Sequence, residues 1–153
     1  MPKTLSVAAI KEGTVIDHIP AGVAFTIFQL LKLSQDKHRI SLGLNLKSSS
    51  MGLKDLIKIE HRALTEKETH DIAVFAPQAT ISIIKNYHVS SKVHARLPNA
   101  IACILICPNS RCITNCENMN TLFHVEEHKQ QVLLQCHFCE KIFERSEIKD
   151  YRS

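Results

Sequence analysis

No uninterrupted apolar run in this 153-residue chain approaches the ~20 residues a helix needs to cross a bilayer, so no membrane partner is expected. The opening Met1-Pro2-Lys3-Thr4-Leu5 leads into a charged segment without the apolar h-region of a secretory signal, which points to a cytoplasmic protein. Internal repeats are lacking, and the one biased tract, Lys47-Ser48-Ser49-Ser50-Met51-Gly52, reads as a mobile loop. A strong charge of one sign is lacking too. The formal net charge is only +4, with Lys and Arg dispersed among Asp and Glu, so a broad footprint for nucleic acid is not expected, whereas small anionic ligands stay open. The apolar fraction of 44% is that of an ordinary globular protein, and the length allows two small domains.

The stretch from about Asn99 to Ser153 is short of large apolar residues but holds six cysteines, among them Cys107 and Cys112 in a C-x4-C knuckle and Cys136 and Cys139 in a C-x2-C knuckle. A module this small draws only ~3–5 kcal/mol from its core, whereas structural zinc contributes roughly 10–16 kcal/mol in finger peptides. Four thiolates from two knuckles surround one Zn²⁺ tetrahedrally, and in a reducing compartment that reading prevails over disulfides. Pairing Cys103 with Cys107, or Cys112 with Cys116, would give three-residue spacers. Cys107-Pro108-Asn109-Ser110-Arg111-Cys112 carries turn residues, however, while Cys103 lies in the apolar run 101–106, which reads as a strand. The expected ligands are therefore Cys107, Cys112, Cys136 and Cys139, with Cys103 and Cys116 as spare thiols. Four sulfurs leave no open position, so the ion is structural and no catalytic residue is expected on it. His124, His128 and His137 are expected on the surface.

Ahead of that module the pattern alternates between strands and helices. Residues 5–10 suit a strand or an extended arm, and the β-branched run 14–19 a strand that stops at Pro20, which would open a helix over 21–33 covered on most faces. Strict alternation over 39–46 places Ile40, Leu42, Leu44 and Leu46 on one buried face. The next strand, 54–60, would turn Ile57 and Ile59 inward and Lys54, Leu56 and Lys58 outward. Thr65 and Glu68 form a capping box for a second helix that carries Ile72 and Phe75 inward and ends at Pro77. Residues 80–84 alternate Ile81 and Ile83 against Ser82 and Ile84, and 89–93 pair with them through a turn at Asn86-Tyr87. The order strand, helix, strand, strand, helix, strand, with one strand added, predicts an α+β, ferredoxin-like antiparallel sheet with two helices on one face. Pro98-Asn99 marks a boundary between domains 1–98 and 99–153, the latter a small all-β, rubredoxin- or zinc-ribbon-like domain with strands at 122–126, 131–135 and 142–147.

With both modules in place, the chain resembles the regulatory chains of aspartate carbamoyltransferase over nearly its full length. The resemblance is carried by Lys11-Glu12-Gly13-Thr14-Val15-Ile16-Asp17-His18-Ile19-Pro20-Ala21, by Ile40-Ser41-Leu42-Gly43-Leu44-Asn45-Leu46, by Met51-Gly52-Leu53-Lys54-Asp55-Leu56-Ile57-Lys58-Ile59-Glu60, by Ala76-Pro77-Gln78-Ala79-Thr80 and by Cys107-Pro108-Asn109-Ser110. It implies a non-catalytic subunit whose N-terminal domain binds CTP, ATP or UTP and dimerises. It also implies a zinc domain that grips the separate catalytic chain, three regulatory dimers bridging two catalytic trimers in feedback control of pyrimidine synthesis. Carried over by position, the nucleotide site would involve Val7, Ala9 and Ile10 of the arm, then Asp17, His18, Lys58, Ser82, Ile84, Tyr87, Val89 and Lys92. In those roles Asp17 accepts from ribose hydroxyls, His18 and Lys92 meet phosphate oxygens, Lys58 reaches ribose or base, and Ile10, Ile84 and Tyr87 frame the base. Asn109, Arg111, Glu140 and Lys141 match positions that contact the catalytic chain. The chain departs from the family pattern at Ser82 and Arg111, where relatives carry Asn, and at Ser50, where they carry an acid.

Periodicity adds to this independently, because Lys58, Ser82 and Ile84 fall on the sheet face turned away from the helices. Lys54 shares that face at ~13 Å from Lys58 and would serve a second nucleotide or solvent. Alone, Asp17-His18 reads as a solvated strand end, and no nucleophile with an oxyanion site accompanies it. A zinc-ribbon nucleic-acid-binding protein is the rival reading. The near balance of Lys129, Lys141, Arg145 and Lys149 against Glu126, Glu127, Glu140, Glu144 and Glu147 argues against it.

Overall fold

A computed structural model describes residues 7–129, 131–148 and 151; the start of the proposed arm lies outside the described residues. Backbone contacts divide the chain into two compact units, Met1–Leu97 and Pro98–Ser153.

In the first unit the order is β1 (Gly13–Pro20), α1 (Ala24–Leu30), β2 (Ile40–Ser48), β3 (Gly52–Glu60), α2 (Glu66–Phe75), β4 (Thr80–Lys85) and β5 (His88–His94). The sheet runs β2-β3-β1-β4-β5 with every pair antiparallel. This is the expected ferredoxin-like arrangement with β5 added at one edge. Its core joins Ile16 and Ile19 of β1, Ile57 and Ile59 of β3 and Ile81 of β4 to Ala24 and Ile27 of α1 and Ile72 and Ala73 of α2. Both helices therefore cover the same sheet face.

α2 begins as its sequence predicts: Glu68 N–H donates to Thr65 Oγ1 at 3.1 Å, and Thr65 N–H to Glu68 Oε1 at 3.0 Å. Asn86 and Tyr87 close the β4–β5 hairpin with φ of 50° and 67°, the two positive angles that a tight two-residue turn requires. α1 departs from expectation. Pro20 ends β1 instead of opening a helix, and the seven-residue helix starts only at Ala24, after a turn closed by Val23 N–H on Pro20 O at 3.0 Å. Phe25 on that helix is 56% exposed, so its apolar residues are not all covered.

Strict alternation also fails in β2. Ile40 and Leu42 pack on the core, but the pairing with β3 shifts register between Gly43 and Leu46, and Asn45 takes a φ of 56°. Two β2 residues oppose Asp55 alone, a one-residue bulge. Beyond it the faces swap: Leu44 is exposed and Leu46 turns to the face opposite the helices. A second bulge in β1, between Ile16 and Ile19, gives His18 a φ of 59° and lets two isoleucines three positions apart both reach the core.

Gly13 opens β1 at a φ of +143°, and a Cβ there would sit 2.0 Å from the Ile59 carbonyl oxygen. Backbone, not a side chain, would have to yield. Gly13→Ala is expected to cost at least about 2 kcal/mol, read as a lower denaturant midpoint at unchanged slope. An unchanged midpoint would show that the strand end relaxes freely.

The second unit contains β6 (Ala100–Ala102), a single-turn α3 (Ile113–Cys116), β7 (Leu122–His128), β8 (Gln131–Cys136) and β9 (Ile142–Glu144), with sheet order β6-β7-β8-β9. The predicted strand over 101–106 stops early because Cys103 adopts a φ of 70°, its N–H donating to Thr121 O at 2.9 Å. Residues 145–147 form a 3-10 turn rather than the end of β9. Phe123, Leu105 and Leu134 supply the small apolar centre.

Candidate functional site

Cross-strand register builds the first site. Lys58 of β3 lies opposite Val15 of β1, Val15 opposite Ser82 of β4, and Ser82 opposite Lys92 of β5. Paired residues share a face, so these four form one rung across the sheet on the side away from the helices. At about 4.8 Å per strand the rung is about 14 Å long, with a lysine at each end.

A cavity of about 780 Å³ opens over it. Val7, Val15, Leu46, Leu56, Ile84 and Val89 supply apolar wall, and Lys47, Lys54, Lys58 and Lys92 face a single carboxylate, Asp17. Asn45, Thr80 and Ser82 complete the lining. This size and mixture suit one small anionic ligand with an apolar portion.

Lys54 does not point freely into solvent. Its Nζ lies 2.9 Å from Asp17 Oδ1, the oxygen that also accepts the His18 N–H at 2.6 Å. Burial alone would raise the Asp17 carboxyl, but the Lys54 and His18 bonds outweigh it and hold the group below its ordinary value. The pair's stabilising effect is present above that ordinary value and disappears only as pH falls through the lower, folded one. Lys58 donates to the carbonyls of Val7 at 3.1 Å and Ala8 at 2.9 Å, tying the arm to the sheet. Burial lowers the Lys58 pKa, with the Asp17 charge opposing.

Of the residues expected at this site, Val7, Asp17, Lys58, Ser82, Ile84, Val89 and Lys92 line the cavity. Ala9, Ile10 and Tyr87 do not: Ile10 is buried, and Tyr87 is 61% exposed at the hairpin tip. His18 opens onto a smaller space of about 260 Å³ with Ser50, Met51, Gln78 and His94, which shares Thr80 and Lys92 with the larger cavity. Its Nδ1 lies 3.0 Å from Thr80 Oγ1. Val15 and Leu56 were legible from two-residue periodicity, since they sit two positions from Asp17 and Lys58. Asn45 and Leu46 were not, because the bulge puts them there.

The second site lies in the other unit. The sulfurs of Cys107, Cys112, Cys136 and Cys139 all fall within 4.8 Å of one another, with Cys107–Cys139 at 3.8 Å and Cys112–Cys136 at 3.7 Å. A disulfide would need about 2.05 Å. A tetrahedron whose vertices stand about 2.3 Å from its centre has edges of about 3.8 Å, so these sulfurs are already spaced to hold one thiolate-bound ion. Turns set that spacing: Cys112 N–H donates to Asn109 O at 2.9 Å and Glu140 N–H to Cys136 O at 2.9 Å, while Asn115 Nδ2 holds the Cys107 and Asn109 carbonyls at 2.9 and 2.8 Å. Cys103 and Cys116 are exposed and stand outside the cluster. His124 and His137 are also exposed, 3.0 Å apart through their ring nitrogens.

An α+β unit with a cationic cavity on its open sheet face, joined to a small unit built around four converging thiols, defines a chain with one small-ligand face and one metal-ligand cluster. Comparison with known proteins gives the family. Residues 5–96 match the aspartate carbamoyltransferase regulatory chain, allosteric domain, and residues 99–149 the metal binding domain of the same chain. The aspartate carbamoyltransferase regulatory chain of Chromobacterium violaceum is 44% identical over 152 residues, covering 99% of this chain and 100% of that one. Those of Salmonella arizonae and Salmonella paratyphi B are 46% and 49% identical over 94% and 91% of both chains. The chain belongs to the family of aspartate carbamoyltransferase regulatory chains, which makes it a non-catalytic subunit and sets aside the nucleic-acid-binding reading. Among the described residues, no helix is long and apolar enough to cross a membrane.

Proposed function

We propose that the sheet-face cavity binds CTP, ATP or UTP, that the four cysteines hold one structural Zn²⁺, and that nucleotide occupancy biases the quaternary state of cytoplasmic aspartate carbamoyltransferase. The observation that carries the nucleotide reading is the rung from Lys58 to Lys92. Two cations at its ends, with Val15 and Ser82 between them, suit an extended ligand with a polar, anionic tail better than a lone phosphate. Asp17 keeps acceptor sites for ribose hydroxyls, because an ionised carboxylate has about four and Lys54 and His18 occupy only part of them. Lys58 gives two of its three protons to the arm, which leaves one for ribose or base. His18 and Lys92 share the smaller space and would meet the phosphates there.

The sulfur set favours zinc, which takes four thiolates tetrahedrally and then has no open position. Its role is to hold the second unit in shape for docking on the catalytic chain, with Asn109, Arg111, Glu140 and Lys141 around the knuckles. Exposed Ile113, Phe138 and Ile142 support such a contact surface. Exposed Phe25, Leu44 and Leu53 in the first unit support dimerisation there, three such dimers bridging two catalytic trimers. An effector moves this assembly only through unequal affinity for its two states.

Lys58→Ala and Lys92→Ala test the nucleotide site. Each is expected to weaken CTP binding by roughly 10- to 100-fold in titration calorimetry, the value of one charge-assisted hydrogen bond, while assembly with catalytic trimers is kept. Unchanged affinity in both would remove the cavity from effector binding.

A further inference from the structure

Thr114 is buried to 1% exposure, and its hydroxyl oxygen lies 3.1 Å from Cys112 Sγ. The other buried threonine of this unit, Thr121, gives its proton to Leu105 O instead. We infer that the Thr114 hydroxyl belongs to the metal centre, donating a hydrogen bond to the Cys112 thiolate and slowing loss of the ion. This rests on the reading of the four cysteines as a zinc site.

The chemistry sets the direction of the bond. A coordinated cysteine sulfur has lost its proton, so the hydroxyl must donate and the sulfur accept. Four thiolates around a divalent ion leave a net charge of about −2, in a place where Cys107, Cys112 and Cys136 are all buried. Such excess charge needs donors aimed at the sulfurs. Backbone N–H groups reach Cys107 from Asn109, Cys136 from Cys139 and Phe138, and Cys139 from Lys141. At Cys112 a side-chain hydroxyl approaches the sulfur, two residues along in the turn that Asn115 clamps to the first knuckle. A side chain, unlike a backbone amide, can be exchanged without breaking the turn.

The test uses the full chain loaded with Zn²⁺, Co²⁺ or ¹¹³Cd²⁺. Thr114→Val keeps the shape and removes the hydroxyl; Thr114→Ser keeps the hydroxyl. Transfer of Zn²⁺ to a chromogenic chelator is expected to be about 10-fold faster in Thr114→Val and near the unaltered rate in Thr114→Ser. The sulfur-to-Co²⁺ charge-transfer band should move to lower energy in the valine variant only, which a mere loss of stability would not produce. Equal transfer rates and equal bands in the valine variant and the unaltered chain overturn the inference. Should Thr114→Val fail to fold, the unaltered ¹¹³Cd chain decides: scalar coupling between the metal and the Thr114 hydroxyl proton supports the bond, and its absence overturns it. An unaltered chain that retains no metal defeats the zinc reading itself, a different result from equal rates with metal bound.

Discussion

Stripping the metal, or replacing the fully buried Cys136 by serine, is expected to unfold the second unit while the first keeps its sheet. A core of this size supplies only ~3–5 kcal/mol, against roughly 10–16 kcal/mol from a structural zinc ion, so the loss exceeds everything else holding the unit together. The chelated chain should then fail to join catalytic trimers in sedimentation, yet still bind CTP. Normal assembly of a demonstrably metal-free chain would sink the idea that the ion shapes the docking surface. Protons follow the ion. Burial pushes the Cys107 and Cys136 thiols up, so in the metal-free chain both are protonated at neutral pH. At Cys139 burial opposes ionisation too, but the Lys141 N–H and the Asn109 side chain outweigh it and bring the thiol to about 7. Metal uptake near pH 7 is therefore expected to release protons, and metal retention to fall as the medium is acidified. Uptake without acidification of a weakly buffered solution would contradict this.

The second large effect is expected at Asp55, which is 0% exposed in β3. One of its oxygens accepts from Gly22 N–H at 2.9 Å and Ala24 N–H at 3.2 Å, and the other from Asn45 N–H at 3.0 Å. α1 has Val23 at its N-cap, a residue with no side-chain acceptor, so the Asp55 carboxylate beneath it takes the N–H of Ala24, the helix's first residue, and that of Gly22 just before the cap. The same carboxylate holds the β2 bulge that turns Asn45 and Leu46 into the cavity. Asp55→Ala leaves three amides without their acceptor and should cost about 3 to 5 kcal/mol. For a unit of this length that lowers the melting temperature by on the order of 20 °C. Asp55→Asn keeps one acceptor but sets an NH₂ against an N–H, and should fall between. A melting point within a few degrees of the unaltered chain for Asp55→Ala would show that water replaces the carboxylate without loss. Because the bulge loosens as well, nucleotide affinity should fall in the alanine variant even at temperatures where it is folded.

The sequence by itself determined what depends on near neighbours along the chain. Cysteine spacing, read with the turn residues between Cys107 and Cys112, picks out the four sulfurs that converge, because each knuckle is a single turn. Thr65 and Glu68 announce the start of α2, since a capping box lies within four residues. Two-residue alternation assigned Lys58, Ser82 and Ile84 to the open face, because the extra residues of the neighbouring bulges fall on β1, β2 and β5 and not on β3 or β4. Only the tertiary structure decided the rest. The bulges at His18 and Asn45 add one residue each, and every side chain beyond changes face, which a run of letters does not announce. Lys54 looked too distant from Lys58 to share a role, yet Asp17 on the neighbouring strand draws it into the same cavity. Asp55 has no mark of its role in the letters of β3. Its importance comes from α1 ending up above it, a contact made by chain segments about thirty residues apart.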